Sequence, residues 1–483
     1  MTGRYIAPVE SAPVPRGGHA ARPVSRLITA VVGWAVTVFH EVERRGDPIP
    51  DGPVLVVANH LNSLLDPLVL FRVAGRPTRP LAKAPLFQQV FVGGLLRGLG
   101  GLPVYRKQDD EALMGRNENT FRAAIEALRA GDALQIYPEG KSHSEPGLEP
   151  LRTGAARIAL AAEAESGGRQ GLRIVPVGLT YERKHLFGGR ALAEIGEPFE
   201  VMPWLTPAGA SDPEAVRALT ETIAERLRAL TLNLTEHGDR ALLEAADRIW
   251  SREKGVHGYR ERDALADRVP RLRVFARALA WLRGEDPARY RRLASAVRRH
   301  EALARMLGAE EGEVPDRYQR GATARYVVRE GAAILLGMPL AVAGIVLWYP
   351  TWVAPRLTLR LVKPDHESIA TYKLATGFLM APLTIAACAI AGLLYAGWPG
   401  AAAGLILAPV VGLAALAWRT RWSRVREDTR LFFRVLGRGR TRERMAERRR
   451  TLVAEFNDVL ARMDASPPPG PSAGAQPCPQ PMT

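Results

Sequence analysis

VLVVANHLNSLLDP, residues 54–67, opens as a buried strand and breaks abruptly into polar residues. Val54 to Ala58 are all apolar; Asn59, His60, Asn62 and Ser63 follow, and Asp66 stands just before Pro67. A histidine at the carboxyl end of an apolar strand lies where open α/β sheets hold their ligands. Its imidazole titrates near neutrality, so it can take a proton from a hydroxyl, and a nearby carboxylate can fix its tautomer. The same residues carry a plainer reading. Ser63 and Asp66 have the S-x-x-D spacing of a capping box for a helix beginning at Leu64, with His60 a turn residue.

Outward from this stretch, residues 46–203 alternate short apolar runs with helical ones, an α/β pattern. The expected strands are 54–58, 134–137 and 174–179, with helices over 118–129 and 151–165. Gly131 suits the residue after a helix end. Residues 1–24, rich in Pro, Gly, Ala and Arg, read as a tail. Residues 27–39 form a short apolar run with no small-residue cleavage site after it. It is too short to span a bilayer, and it reads equally as a helix packed on the domain or lying in a membrane interface.

Residues 207–330 change character. Asp212-Pro213-Glu214 is a helix start, and Val216, Leu219, Ile223, Leu227 and Leu230 make one apolar stripe at helical spacing. Arginine-dense helical segments follow, with a solvated charged face as their plain reading. The whole chain of 483 residues carries 66 Lys+Arg against 50 Asp+Glu, formally +16. That excess suits an anionic partner: a membrane surface, a phosphorylated substrate or nucleic acid. The aromatics that single-strand binders interleave with their charges are missing, which disfavours nucleic acid. Two cysteines, Cys388 and Cys478, support neither a disulfide framework nor a thiolate zinc site.

The C-terminal part carries membrane signals. Residues 331–355 lack charge but are interrupted by Pro339 and Pro350, and arginines flank both ends; we expect a re-entrant or interfacial segment. Residues 374–418 are also uncharged and are split by Gly397-Trp398-Pro399-Gly400. They read as a transmembrane hairpin of 374–396 and 399–418, with Lys373, Arg419 and Arg421 holding its outer ends on the cytoplasmic side. An Arg-rich stretch over 421–465 reads as a basic amphipathic helix for anionic headgroups, and 466–483 as a Pro-rich tail.

Several chemistries lose their usual sequence support. Glu139-Gly140-Lys141-Ser142 lacks the upstream glycine of a P-loop, because Gln135 stands there. Residues 98–101, GLGG, lack the third glycine of a dinucleotide fingerprint. Neither a G-x-S-x-G elbow nor an H-E-x-x-H helix occurs. What does occur is four ordered blocks: NHLNSLLDP (59–67), GGLPVYRK (100–107), IYPEGKS (136–142) and IVPVGLTY (174–181), with weaker matches in LAKAPLF (81–87) and GEPFEV (196–201). In this order and spacing, over about residues 26–203, the chain resembles the glycerolipid acyltransferases, which acylate glycerol 3-phosphate and lysophosphatidate. Five residues separate His60 from Asp66, where many members have four. That version resembles the branch of fungal glycerol-3-phosphate/dihydroxyacetone-phosphate acyltransferases, which also carries hydrophobic segments after the catalytic domain.

The resemblance implies an α/β acyltransferase domain over 25–206, followed by a helical region and C-terminal membrane helices. His60 would be the general base and Asp66 its orienting carboxylate. Arg106 and the turn of Glu139, Gly140 and Ser142 would form the acceptor pocket, with Lys83 and Arg152 as further phosphate contacts; a surface role for these two is equally open. Arg106 has a plain alternative in an ion pair with Asp109 or Asp110. No metal or cofactor is implied beyond the acyl thioester donor, on coenzyme A or acyl carrier protein. The expected partners are that donor, a glycerol-phosphate acceptor and an anionic membrane, and the expected location is the inner face of the cell membrane. Lysophosphatidate is the alternative acceptor. A non-catalytic basic membrane-binding protein is the rival from another class.

Overall fold

A computed structural model describes residues 23–105, 117–145, 147–182, 188–234, 236–254, 263–306, 320–362, 369–435 and 439–465. Its contacts divide the chain into two units. The first holds the residues up to Leu232 together with 264–266 and 350–383; the second holds the rest.

The first unit is built on eight strands: β1 His40–Arg45, β2 Val54–Ala58, β3 Thr78–Lys83, β4 Leu102–Val104, β5 Ala133–Ile136, β6 Arg173–Glu182, β7 Gly189–Ile195 and β8 Phe199–Glu200. They form one sheet in the order β1-β7-β6-β2-β5-β3-β4, with β8 beside β6. The run from β6 to β4 is parallel, β7 is antiparallel to β6, and β1 is parallel to β7. All five residues of β2 are buried, as expected of a central strand covered on both faces. Strand alternation divides them. Val54, Val56 and Ala58 join the core beneath α1 (Pro23–Phe39) and α2 (Leu65–Val73), whereas Leu55 and Val57 join the core beneath α4 (Asn117–Arg129) and α5 (Gly154–Glu165).

This division creates a crevice. The chain leaving β2 turns to one face through α2, and the chain leaving the adjacent β5 turns to the other through α5. Neighbouring strands whose connections diverge in this way leave an opening at their carboxyl ends. His60 and Glu139 stand on its two sides.

Two sequence expectations sharpen here. The 27–39 run lies within α1 and packs on the domain through Val32 and Val36, while Leu27 and Val31 stay exposed. Helix α6 (Pro213–Leu230) starts as expected, with the Asp212 carboxylate accepting the backbone N–H groups of Glu214 and Ala215 at 2.9 and 3.3 Å. Its stripe of Val216, Leu219, Ile223 and Leu227 is buried in the α4–α5 core, so the first unit runs to Leu232 and not to 206.

The second unit includes α7 (His237–Glu253), α8 (Leu265–Glu285), α9 (Pro287–Met306) and α12 (Gly439–Ala465), whose apolar faces share one core. Buried Asp247 receives Arg268 and Arg271 at 2.7 and 2.6 Å, and Arg289 reaches Glu455 and Asp458 at 2.7 and 2.6 Å. Much of the arginine density is therefore matched internally. For residues 439–465 the expectation of a headgroup-binding helix is corrected by the same core, while 421–435 continue the helix Ile369–Val435. Helix α12 is separate from the preceding helix, and its Leu452, Val453, Phe456 and Val459 pack against α7–α9, leaving no apolar face to lay on lipid.

Helices α10 (Arg320–Val362) and α11 (Ile369–Val435) are long and apolar enough to cross a membrane. Helix α11 reverses at Ala396 and Gly397, the latter at φ +66°, and this is the hairpin read from the sequence. Its arms touch through small residues. A Cβ on Gly392 would meet the Gly400 carbonyl oxygen at 2.1 Å, and one on Gly404 would meet that of Cys388 at 2.4 Å. The prolines of 331–355 lie inside one helix, since α10 is helical through both Pro339 and Pro350. Hydrogen bonds tie α10 to α11 on either side of Pro339. The indole N–H of Trp348 donates to the Ala408 carbonyl and that of Trp418 to Ile334, each at 2.9 Å.

Candidate active site

The loop after β2 aims His60 by its hydrogen bonds. Asn59 first locks the strand end onto β6, its side-chain amide donating to the Leu179 carbonyl and its oxygen accepting the Leu179 N–H, at 3.0 and 2.7 Å. The His60 Nδ1 lies 2.7 Å from Asp66 Oδ2, and that oxygen also accepts the Asn62 N–H at 2.8 Å. The other carboxylate oxygen accepts the Tyr181 hydroxyl at 2.6 Å. Asp66 is wholly buried, and donors reach both of its oxygens. Its carboxylate then draws the imidazole proton to Nδ1 and leaves a lone pair on Nε2. Burial, followed by the Asp66 charge, pushes the Tyr181 hydroxyl well above the usual phenol range, keeping it a donor.

Asp66 therefore serves the histidine and not a capping box. Helix α2 begins at Leu65 without a side-chain cap, and the carboxylate reaches back past the helix start to Asn62 and His60. Ser63 adopts φ +28°, the one non-glycine residue at positive φ among the described residues. The Tyr137 ring stacks on the imidazole, with centroids 4.3 Å apart and planes at 23°. His60 keeps 18% of its side chain exposed, and Nε2 has no hydrogen-bond partner among the described residues. An oriented imidazole with one open nitrogen can accept a proton from a hydroxyl placed against it.

The loop after β5 forms the opposite wall. Glu139 is fully buried, and its Oε1 accepts the His60 backbone N–H at 2.7 Å. Its Oε2 accepts the Glu149 N–H at 2.9 Å and pairs with His143 Nε2. Gly140 follows at φ +73°, where a Cβ would meet Arg152 Nε at 2.5 Å. The Ser63 and Ser142 hydroxyls lie 3.3 Å apart, joining the two loops.

Of the residues read from sequence, His60 thus meets both Asp66 and Glu139, Ser142 reaches the same loop through Ser63, and Gly140 and Arg152 lie against each other. Lys83 is exposed at the end of β3. Arg106 lies outside the described residues, two positions after the end of β4. Sequence reading missed Tyr137, His143 and Tyr181. The first two lie within or next to IYPEGKS and were legible only as a strand end and a turn. Tyr181, 115 residues from Asp66, ends the fourth block and carried no local signal of its partner.

Residues 41–180, which hold this crevice, match the family model described as Acyltransferase. These residues belong to the glycerolipid acyltransferase family. The chain is 32% identical over 135 residues to glycerol-3-phosphate O-acyltransferase 2 of Saccharomyces cerevisiae, covering 28% of this chain and 18% of that protein. An uncharacterized acyltransferase of Schizosaccharomyces pombe is 23% identical over 300 residues, 44% of each chain. The 1-acyl-sn-glycerol-3-phosphate acyltransferase of Bacillus subtilis is 27% identical over 159 residues, 32% of this chain and 70% of that one. The match to the two yeast proteins thus spans less than half of their lengths. Within the acyltransferase domain, the matched region contains His60, Asp66, Glu139 and His143.

Proposed function

We propose that the protein is a membrane-bound O-acyltransferase that moves a fatty acyl group from a thioester to the hydroxyl of glycerol 3-phosphate or dihydroxyacetone phosphate. The observation that carries this reading is His60, held through Nδ1 by buried Asp66 with Nε2 open to the crevice. Nε2 takes the proton of the acceptor hydroxyl as its oxygen attacks the thioester carbonyl. The tetrahedral oxyanion collapses, the carbon–sulfur bond breaks, and the departing thiolate takes the proton back from Nε2. The products are an ester and a free thiol, and no acyl-enzyme is needed because the acceptor is itself the nucleophile. General-base assistance of this kind is worth about 10²–10⁴-fold.

In this reading Arg106 is the bidentate phosphate ligand, with Lys83 and Arg152 as outer cations. Glu139 is assigned to the catalytic loop and not to the acceptor, because its carboxylate already receives three protein donors. Lysophosphatidate is the second reading, favoured by the likeness to the Bacillus enzyme. Membranes carrying the protein, supplied with labelled palmitoyl-CoA and each acceptor separately, distinguish the two. Product on glycerol 3-phosphate supports the first reading, and product on lysophosphatidate alone supports the second. With a folded protein, failure on both acceptors with both coenzyme A and carrier-protein donors overturns the assignment.

The membrane part of the proposal rests on α10 and α11, whose surfaces expose Leu336, Leu394 and Trp398 at about four-fifths of their area. The chain leaves one helical core after α9 and returns to it at α12, so the residues between cross a bilayer an even number of times. The α11 hairpin supplies two crossings, with Lys373, Arg419 and Arg421 on the cytoplasmic side. Membranes washed in alkaline carbonate should retain the protein; release to the supernatant contradicts insertion.

A further inference from the structure

Two histidine–carboxylate pairs meet in the crevice, and only one is open to a substrate. The second, His143 with Glu139, is almost wholly buried, at 5% and 0% side-chain exposure. Both nitrogens of its ring are engaged: Nδ1 accepts the Glu145 N–H at 3.1 Å, and Nε2 faces Glu139. Because Nδ1 is an acceptor, the ring proton sits on Nε2 and is donated to the carboxylate. This imidazole has no lone pair or proton left for chemistry.

What the pair holds is the peptide backbone of His60. Glu139 Oε1 accepts the His60 N–H at 2.7 Å, while the His143 N–H donates to the His60 carbonyl at 3.1 Å. Both main-chain polar groups of the base are thus gripped by the one segment leaving β5. On the ring itself, among the described residues, only the Asp66 hydrogen bond and the stacked Tyr137 act. Asp66 sets the rotation and tautomer of the imidazole, while the β5 loop, beyond the Asn59 anchor on β6, holds the His60 main chain and so the position of Nε2 relative to a substrate.

We propose that Glu139 and His143 are positioning residues, a backbone clamp that holds the His60 main chain and thereby aims its Nε2. Resting on the acyltransferase reading above, this gives the buried pair a task in turnover and not in acceptor binding. Misplacing a reacting group by about 1 Å costs as much as 10²-fold in rate. In His143→Ala the Glu139 carboxylate loses a donor and can swing away from the His60 N–H. In His143→Gln a side-chain amide can restore that donor.

The test uses the full-length protein in detergent. With wild type, His143→Ala and His143→Gln, kcat and the acceptor KM are measured, and folding is followed by thermal melting. We expect kcat to fall about 10–100-fold in His143→Ala with KM changed less than about threefold, and most of the loss to be recovered in His143→Gln. A rise in acceptor KM at unchanged kcat would place the pair in the acceptor pocket and overturn the clamp, as would unchanged kcat in a folded His143→Ala protein. Should His143→Ala not fold, His143→Gln and Glu139→Gln carry the same comparison. A wild-type protein without turnover would sink the acyltransferase reading and not the clamp. The clamp is then read from ¹⁵N-histidine spectra, where the His60 ring signals must move in the disrupted variant and return in His143→Gln. Unmoved signals overturn it.

Discussion

The loops after β2 and β5 carry the same pair of residue types and put them to opposite uses. In the first, Asp66 is buried and His60 is left 18% exposed with a free nitrogen; in the second, carboxylate and imidazole are both buried and every nitrogen is engaged. The difference shows that a histidine beside a carboxylate is not yet a catalytic group. What makes one is an open nitrogen at the strand ends, together with a neighbour that holds the other nitrogen and a second element that holds the backbone.

The contrast can be broken in order of expected effect. His60→Ala removes the base and should lower kcat about 10²–10⁴-fold without unfolding the protein. Loss of less than tenfold would mean that His60 is not the base. Asp66→Asn keeps the shape but cannot receive all three of its donors, the His60 Nδ1–H, the Asn62 N–H and the Tyr181 hydroxyl. We expect kcat to fall about 10²–10³-fold, because the tautomer with Nε2 free is no longer favoured. Unchanged turnover would show that the carboxylate does not govern the tautomer.

Tyr181→Phe removes one donor from buried Asp66 and leaves the other two. A hydrogen bond to a charged group is worth about 1.5–3 kcal/mol, so chemical denaturation should register that loss while kcat falls only a fewfold. Gly140→Ala tests the second loop alone. Its positive φ costs about 1–2 kcal/mol for a residue with a Cβ, and the added carbon presses on Arg152. A lowered melting temperature is expected with only a small change in kcat; a stabilised variant would contradict this backbone geometry.

Much of the first unit was legible because strand ends write themselves in sequence. Val54–Ala58 followed by Asn59 and His60 marks both a buried strand and the edge where it stops. Asp66 was legible as a residue but ambiguous as a contact, since the same spacing serves a capping box. Only three-dimensional closure, with Asn62, His60 and Tyr181 all on one carboxylate, separates the two. Tyr181 and His143 were missed for that reason: their partners are set by sheet pairing and a turn, not by periodicity.

In the C-terminal part of the chain the apolar hairpin and its glycine tip could be read from composition alone. Two other features could not, because tertiary packing overrides local propensity. Prolines 339 and 350 do not break α10, and the Arg-rich 439–465 helix turns its apolar side into a protein core. A basic amphipathic pattern is the same whether its apolar stripe meets lipid or another helix.

The most direct measurement is chemical rescue by imidazole, comparing kcat for glycerol 3-phosphate in His60→Ala and His143→Ala at increasing imidazole concentration. A proton acceptor lost from an open site can be replaced from solution, whereas a buried clamp cannot. The account predicts concentration-dependent recovery in His60→Ala and none in His143→Ala. Recovery confined to His143→Ala, or a His60→Ala protein as active as wild type before any imidazole is added, would contradict it.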